Sequence, residues 1–500
     1  MNLDAHCKVL ILSHRRNFSK FQVWKKQGIP GPSPWLVYYH LMKLFLPNFY
    51  LQDLKNIRKY GKVFGTHDGS IASLVVADPE ILKDMLVRNF TSFSDRRPQP
   101  NNHKTFHKFL TALNGDEWRQ TRSIISPTFT SGKMKSMFPL ISDAVHLMMD
   151  KIKRKAGQEF DLKDLFGCLS MDIIARCGFA VDTNANEENP FVYHAKSFFN
   201  FSLWKILMFV LLPKFIISKI DFTFSPIKHT LFLESLARQL ISERRKQMKQ
   251  GIRSNKYNDF LQLMIEAGTQ DTAAGDDEND NLLQGTRGKT LTDEEIVANI
   301  LLILIAGYET TASTLTYATY GLACNPEIQE RLRQEVADAG DINYESVTKL
   351  TYLEAVINET LRMYDPVTRV DRMVSDEKGY TFDSHLGEKH MPYASELLVP
   401  IYAIHHMEEY YPDPETFDPE RFMPENRDKL VPYTFLPFVM GPRNCVGMRF
   451  ALLEAKMTLA TLVRKYRFVK TSNTDIPLDL SKSIVLLTCK RVVVKIEERD

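Results

Sequence analysis

The feature that most constrains the fold is one long apolar segment, LTDEEIVANILLILIAGYETTASTLTYATYGLACNP, which begins at Leu291. Thr292 is followed three residues later by Glu295, the pattern of a capping box, so we predict a helix that begins there and ends before Pro326. A helix that is apolar nearly all round is buried in the core of a protein. The sequence therefore predicts a mainly helical protein with this helix running through its middle.

The same segment contains residues that are unusual inside a buried helix. Gly307 costs roughly 1 kcal/mol relative to alanine, and it is followed by Glu309 and Thr310. Thr310 shares a helical face with Ala306, so its hydroxyl can donate to the carbonyl at position 306 and open a polar notch. Taken alone, the pattern also fits a bent core helix that tolerates two threonines.

A second feature is the stretch FVMGPRNCVG, from Phe438 to Gly447. Gly441 and Gly447 allow the backbone to turn tightly and to approach a flat, bulky group. The helix predicted after Cys445 directs its amide dipole at the sulfur, which favours the thiolate that binds metals. A lone cysteine is otherwise a small buried hydrophobe, and the six cysteines show no CxxC pair that would indicate zinc or a disulfide framework.

Arginines recur in two further motifs. Trp118 and Arg122, in WRQTR, are four residues apart and could donate to the same anion, although an ordinary amphipathic helix explains them equally well. Glu359 and Arg362, in ETLR, share one helical face, and Arg421 in PERF could complete a buried Glu/Arg/Arg network. By itself the ETLR pair is also compatible with a solvated surface pair.

Composition and charge bound the remaining possibilities. The 500 residues are 44% hydrophobic, enough for a large core, and the net charge of +3 without basic blocks indicates no nucleic-acid partner. Residues 1–28 contain only a short apolar run, so we predict an N-terminal segment without a full membrane anchor. The proline-rich stretch Ile29 to Pro34 then opens a single domain, residues 29–500.

Two internal segments stand out by composition. Phe191 to Phe224 is dense in aromatic and aliphatic residues, which fits either a buried helix pair or an apolar patch that dips into a bilayer. Ala267 to Thr290 is acidic, small and polar, and we interpret it as a solvated connector.

Together these stretches resemble the cytochrome P-450 family of haem-thiolate enzymes, from Ile29 onward. The resemblance implies a single-domain, mainly α fold with a minor β portion and haem between a long central helix and a proximal cysteine loop. KKQGIPGPSP, SPTFTSGKMKSMFP, NDFLQLMIEAG and GPRNCVGMRFAL look most like the animal branch that contains the broad-specificity drug-oxidising enzymes and thromboxane synthase. The family motifs are matched as follows: FxxGxRxCxG by Phe438, Gly441, Arg443, Cys445 and Gly447; the oxygen-activation motif by AGYETT; ExxR by Glu359 and Arg362; WxxxR by Trp118 and Arg122.

Carried over position by position, the resemblance implies a role for each matched residue. Cys445 is the proximal ligand of the iron in haem (heme b, iron protoporphyrin IX). Glu309 and Thr310 organise water and deliver protons during oxygen activation. Phe438 and Ala306 contact the cofactor. Ala306 also lines the substrate pocket, together with Val367 and the residues between Pro98 and Asn114. The propionates are held by Arg443, Trp118, Arg122, Arg372 and Arg96.

The implied reaction is the insertion of one oxygen atom from dioxygen into a lipophilic substrate that resembles a xenobiotic, steroid or fatty acid. The chain has no flavin or nicotinamide fingerprint, so the resemblance implies electrons from NADPH through NADPH–cytochrome reductase, possibly with cytochrome b5. Docking contacts could come from Lys133, Lys135, Arg449 and Lys456, or these could be a merely solvated face. The implied location is the cytosolic face of the endoplasmic reticulum membrane, with the protein at the membrane surface.

The sequence is also compatible with two other functions. One is a peroxide isomerase like thromboxane synthase, which needs no external electrons. The other is a non-catalytic haem- or lipid-binding protein. Thr310 favours the monooxygenase, because an isomerase does not require an alcohol for proton delivery.

The sequence departs from the family pattern in the cysteine loop and in two flanking stretches. Val439 stands where glycine or another small residue is common, and a β-branched residue does not easily take a positive φ. We therefore expect a changed loop geometry or haem affinity. MPYASELLVP and HHMEEYYPDP replace the usual IPKG and HRDP stretches, so we expect local differences in the strands but not in the haem site.

Overall fold

The predicted central helix is present and runs through the core of the molecule. In the computed structural model it spans Asp293–Cys324, and Thr292 and Glu295 form the predicted capping box. The Glu295 side chain accepts the Thr292 N–H at 2.8 Å, and the Thr292 hydroxyl accepts the Glu295 N–H at 3.3 Å. Among the described residues it is also the one helix long and apolar enough to cross a membrane, but most of its side chains are buried by protein.

The structure describes residues 22–32, 49–68, 71–98, 103–155, 157–179, 181, 189–198, 205, 223, 225–250, 259–267, 291–480 and 486–499. Within them the α-helices are α1 (Val23–Lys26), α2 (Phe49–Tyr60), α3 (Pro79–Lys83), α4 (Lys104–His107), α5 (Gly115–Ile125), α6 (Ser131–Arg154), α7 (Leu162–Phe179), α8 (Pro190–Phe198), α9 (Ile227–Lys249), α10 (Phe260–Ala267), α11 (Asp293–Cys324), α12 (Pro326–Asp338), α13 (Tyr344–Val347), α14 (Thr351–Met363), α15 (Ile401–His405) and α16 (Met448–Lys465).

The β portion of the described residues is small and is divided among three separate sheets. The strands are β1 (Val63–Asp68), β2 (Ile71–Val76), β3 (Glu159–Asp161), β4 (Val370–Met373), β5 (Tyr380–Ser384), β6 (Gly387–Met391), β7 (Glu396–Val399), β8 (Tyr466–Val469) and β9 (Val493–Glu498). They form sheets in the orders β1-β2-β7-β4, β3-β9-β8 and β5-β6, and β2 and β7 pair in parallel. The predicted mainly α fold with a minor β portion is confirmed.

Gly307 allows the central helix to pack closely on α7. A Cβ atom at position 307 would lie 2.5 Å from the Ile174 Cδ1 atom, which is closer than two carbons can approach. The glycine therefore weakens the helix locally but permits the contact that places α7 against α11.

The Glu/Arg/Arg network predicted from ETLR and PERF is buried and complete. Arg362 donates from Nε and Nη2 to the two carboxylate oxygens of Glu359 at 2.7 and 2.8 Å, and both side chains are fully buried. Arg421 Nε lies 3.5 Å from the same carboxylate. Arg362 also donates to the His405 carbonyl at 2.9 Å, so the network ties α14 to α15.

The compositionally unusual segments lie only partly within the described residues. Phe191 to Phe198 belong to α8, where Phe191 and Phe198 are buried. Nearly all of the remainder up to Phe224, like most of the acidic connector and residues 1–21, lies outside the described residues. The choice between a buried helix pair and a bilayer contact stays a prediction.

One buried carboxyl group in the helical core has no role in the predicted chemistry. Glu454 on α16 is fully buried, and the Ser170 hydroxyl donates to it at 2.5 Å. Burial raises the pKa of Glu454 to about 8, more than the Ser170 hydrogen bond lowers it.

We predict that Glu454→Gln flattens the pH dependence of stability. The unfolded chain ionises near pH 4.3 but the folded chain only near pH 8, so the folded state holds one extra proton between them. Wild-type stability should therefore fall as pH rises through this window, by on the order of 5 kcal/mol at most. The measurement is thermal unfolding from pH 5 to 9, with exposed Glu388→Gln as the control. Parallel curves for wild type and Glu454→Gln would contradict the assignment.

Candidate active site

The cysteine loop is a hydrogen-bonded turn between the β side of the molecule and α16. The Cys445 N–H donates to the Phe438 carbonyl at 2.9 Å, and the Asn444 N–H donates to the Gly441 carbonyl at 3.1 Å. One turn earlier, the Val439 N–H donates to the Leu436 carbonyl at 2.9 Å. These bonds fix the backbone that leads up to the thiol, before α16 begins.

Gly441 occupies a position that other residues cannot take without strain. Its φ is +78°, and a Cβ atom there would lie 1.9 Å from the Leu86 carbonyl oxygen. The loop is therefore seated directly on the backbone of the segment Asp84–Arg88. This close approach explains the glycine in the motif.

Val439 takes the left-handed conformation that its side chain disfavours. Its φ is +60°, so a β-branched residue occupies a turn position with positive φ, and the loop is strained there. A left-handed residue other than glycine costs roughly 1–2 kcal/mol, and β-branching adds crowding. The Leu436 hydrogen bond holds the backbone there, while the Val439 side chain packs against the apolar core around the four-stranded sheet.

The Cys445 thiol borders an internal space. It has a large accessible area, yet it is surrounded densely enough that burial raises its pKa. A hydrogen bond from the Gly447 amide and the charges of Arg122 and Arg96 act in the opposite direction. The expectation that the loop by itself favours a thiolate is therefore wrong, because desolvation outweighs these effects; a bound metal ion reverses that balance.

Arg443 is buried between the loop and the start of α5. Its guanidinium lies 4.9 Å from the centre of the Trp118 ring, and Nη2 donates to the Leu113 carbonyl at 2.5 Å. Nη1 donates to the Ser94 carbonyl. Arg122 reaches the same loop and donates to the backbone and side-chain oxygens of Asn444 at 3.0 and 2.9 Å.

Arg372 and Arg96 add two more cations to this cluster. Arg372, on β4, is fully buried and donates to the Arg443 carbonyl at 3.2 Å. Among the described residues, the Nε atoms of Arg372 and Arg96 have no hydrogen-bond partner. Burial and the charge of Arg96 lower the pKa of Arg443 to about 9, and the pKa of Arg372 is lowered by the same two causes.

These four arginines and Trp118 fit a dianionic group such as haem. The cluster concentrates positive charge, with Asp95 and Asp371 as the acids that offset it, and it leaves buried N–H donors unused. Two propionates supply the missing acceptors and charge, and the nearby thiol supplies a metal ligand. Residues far apart in sequence are thus brought to one place by β4, α5 and the cysteine loop.

The notch in the central helix is formed as the sequence suggests. The Thr310 hydroxyl donates to the Ala306 carbonyl at 2.6 Å, and Ala306 is exposed although the residues just before it in the helix are buried. Glu309 is directed at α7, where its carboxylate lies 3.8 Å from Lys163 Nζ. Burial raises the pKa of Glu309, while Lys163 and Lys196 lower it.

Asn114 belongs to the site although the motifs did not identify it. Its Oδ1 atom accepts the Arg96 N–H at 2.9 Å, and its Nδ2 atom donates to the Arg96 carbonyl at 2.9 Å. Asparagine before a helix suggests an N-cap, and Asn114 occupies that position, but its side chain does not cap α5. The sequence therefore indicates the N-cap position of Asn114, but it does not predict that the side chain binds the backbone of Arg96.

Comparison with known proteins agrees with this geometry. A family model for cytochrome P450 matches residues 29–496, so the chain belongs to the cytochrome P450 family. It is a P450 monooxygenase, an oxidoreductase, and membership of the family implies a haem cofactor.

Its relatives include cytochromes P450 of the 3A group. Cytochrome P450 3A11 of Mus musculus is 34% identical over 504 residues, covering 98% of this chain and 95% of the mouse protein. Cytochrome P450 3A2 of Rattus norvegicus and Cytochrome P450 3A7 of Homo sapiens are each 34% identical, with the same coverage.

We predict that Gly441→Ala disrupts the cysteine loop whereas Gly447→Ala is tolerated. The first substitution combines a positive φ with the Leu86 clash and should lower the free energy of unfolding by about 2 kcal/mol or more. Gly447 has a φ of −86°, and no described atom lies within 4 Å of the position that a Cβ atom would take there. Thermal unfolding of both purified variants checks the contrast, and equal effects would refute it.

Proposed function

We propose that the protein is a haem-thiolate monooxygenase that oxidises lipophilic molecules of the xenobiotic or steroid class, with NADPH as the electron source through NADPH–cytochrome reductase. The observation that carries this proposal is the convergence of four arginines around the cysteine loop that contains Cys445. Cytochrome b5 is a second candidate electron donor.

In this proposal the cationic cluster holds the cofactor and orients it. Arg372 and Arg96 would hold the propionates with their unused Nε–H groups, and Trp118 and Arg122 would add further donors to them. Phe438 fixes the Cys445 backbone through its carbonyl. Asn114 keeps Arg96 and Arg443 on the same side of the site.

The central helix provides the proton-handling side. Haem, when bound, supplies the activation of dioxygen. Thr310 presents its hydroxyl oxygen as an acceptor while its proton is engaged by the Ala306 carbonyl, so it can hold a water molecule in the notch. Glu309 exchanges protons through its contact with the partly exposed Lys163.

We further propose that the catalytic domain comprises residues 29–500, follows an N-terminal segment of residues 1–28, and acts at the cytosolic face of the endoplasmic reticulum membrane. Reductase docking is assigned to Lys133 and Arg449. Lys456 is buried and paired with Glu354 at 2.7 Å, which makes it a poor docking contact.

The test of the function is reconstitution with NADPH–cytochrome reductase. Substrate-dependent NADPH consumption and oxygenated product are measured across a panel of lipophilic compounds, with the reductase omitted as the control. Turnover without NADPH would indicate a peroxide isomerase, and no turnover on any compound would indicate a haem- or lipid-binding protein.

We predict that Cys445→Ala abolishes the red-shifted absorption band of the carbon-monoxide-bound ferrous protein, because that band requires a thiolate ligand. Cys168→Ala removes another cysteine that is not in a disulfide and should leave the band unchanged. Difference spectra of both variants are the measurement. Retention of the band in Cys445→Ala would eliminate this residue as the ligand.

We predict that Thr310→Ala uncouples NADPH consumption from product formation and raises peroxide release roughly tenfold or more, within the range of a lost proton-transfer group. Thr314→Ala is the matched control, because its hydroxyl makes the same type of bond, to the Thr310 carbonyl at 2.9 Å. Product, peroxide and NADPH are measured in the same assay. Equal coupling in the two variants would remove Thr310 from the mechanism.

A further inference from the structure

His405 and Asp365 form a buried pair that the proposed chemistry does not use. His405 ends α15 and Asp365 follows α14, and their side chains are 0% and 1% exposed. His405 Nδ1 lies 4.0 Å from Asp365 Oδ2, and neither atom has a hydrogen-bond partner among the described residues. Buried polar atoms without partners are rare enough that a pair facing each other requires an explanation.

The other nitrogen of His405 supports the cysteine loop. Nε2 accepts the Leu436 N–H at 2.9 Å, and the Leu436 carbonyl accepts the Val439 N–H at 2.9 Å. Val439 is the strained residue of the loop, with φ +60°. Phe438, which precedes Val439, accepts the Cys445 N–H through its carbonyl. Short hydrogen-bonded steps therefore connect the imidazole to the backbone of Cys445.

This arrangement fixes the protonation of His405. Since Nε2 accepts a hydrogen bond, its lone pair must be free, and the ring proton lies on Nδ1, which faces Asp365. A doubly protonated imidazole would lose the Leu436 bond. Burial first, and then the charges of His406 and Arg362, lower the pKa of His405 well below its usual range, which keeps the ring neutral.

Asp365 is suited to select this tautomer. Its Oδ1 atom accepts the Val367 N–H at 2.8 Å, which leaves Oδ2 directed at the His405 ring. An oxygen facing Nδ1–H favours the proton on that nitrogen. Burial raises the pKa of the Asp365 carboxyl well above its usual range, more than the Val367 hydrogen bond lowers it, so Asp365 acts on the ring through its oxygen and not through a charge.

We propose that His405 is a positioning residue for Cys445: it holds the strained turn at Val439 through the Leu436 amide, and Asp365 fixes its tautomer. The inference rests on the proposed role of Cys445 as the iron ligand. Without the Nε2 acceptor, the Leu436 N–H is left unpaired and the turn is free to relax away from its strained conformation.

The experiment compares His405→Phe with His405→Gln and His406→Phe in the haem-loaded protein. His406 is an equally buried neighbour that stacks on Tyr402 at 3.9 Å and bonds to its carbonyl at 2.8 Å, so it controls for general damage to α15. Phenylalanine removes the acceptor, while the glutamine amide oxygen retains one. The readouts are the ferrous carbon-monoxide spectrum and backbone amide exchange of the peptide covering residues 433–445, which begins upstream of Leu436 and so retains its amide.

For His405→Phe we expect roughly tenfold faster exchange in this peptide, as for one lost hydrogen bond, and loss of at least about half of the red-shifted band. His405→Gln and His406→Phe should resemble wild type. Asp365→Asn, which presents N–H donors to the ring and favours the wrong tautomer, should accelerate the same exchange. Unchanged exchange in His405→Phe, or equal acceleration in His406→Phe, overturns the proposal.

The experiment distinguishes the role of Cys445 as the iron ligand from the positioning role of His405. A wild-type protein without the red-shifted band would refute the thiolate ligand, whereas a normal wild-type band that also survives in His405→Phe would refute only the positioning role. Amide exchange reads the Leu436 hydrogen bond directly and does not depend on turnover.

Discussion

Positive charge buried around Cys445 is the constraint on which the rest of the site depends. Guanidinium groups from β4, α5, the segment before α4 and the cysteine loop meet where solvent cannot neutralise them, and burial lowers the pKa of Arg443 to about 9. Such an arrangement is unfavourable unless anions complete it. The cluster therefore fits the dianionic cofactor that we propose binds there.

Two sets of packing contacts away from the arginines oppose this repulsion. The Glu359, Arg362 and Arg421 network joins α14 to α15, and the carbonyl of His405 is one of its acceptors. On the opposite side, Gly307 lets the central helix approach α7 closely. These contacts do not touch the chemistry, but they determine where β4 and the cysteine loop stand relative to the central helix.

The motifs predicted the local parts of the site well because each depends on near neighbours in the chain. The capping box, the Thr310 bond to Ala306 and the Glu359–Arg362 pair follow from helical spacing. The protonation of Cys445 was not predicted correctly, because desolvation depends on surrounding atoms that lie elsewhere in the sequence. Asn114 was missed for a similar reason: its partners Arg96 and Arg443 are contributed by other segments.

The sequence by itself determined the family and the mainly helical architecture, because periodicity, capping and ordered motifs are local signals. Only the tertiary structure decided that Val439 takes the left-handed conformation of a glycine. Three contacts hold its φ: the hydrogen bond to Leu436, the close approach of Gly441 to the Leu86 carbonyl, and the packing of the Val439 side chain. Together they outweigh the intrinsic backbone preference of a β-branched residue. The contact between His405 and Leu436 was likewise beyond the sequence, because only folding brings residues 31 positions apart within hydrogen-bonding distance.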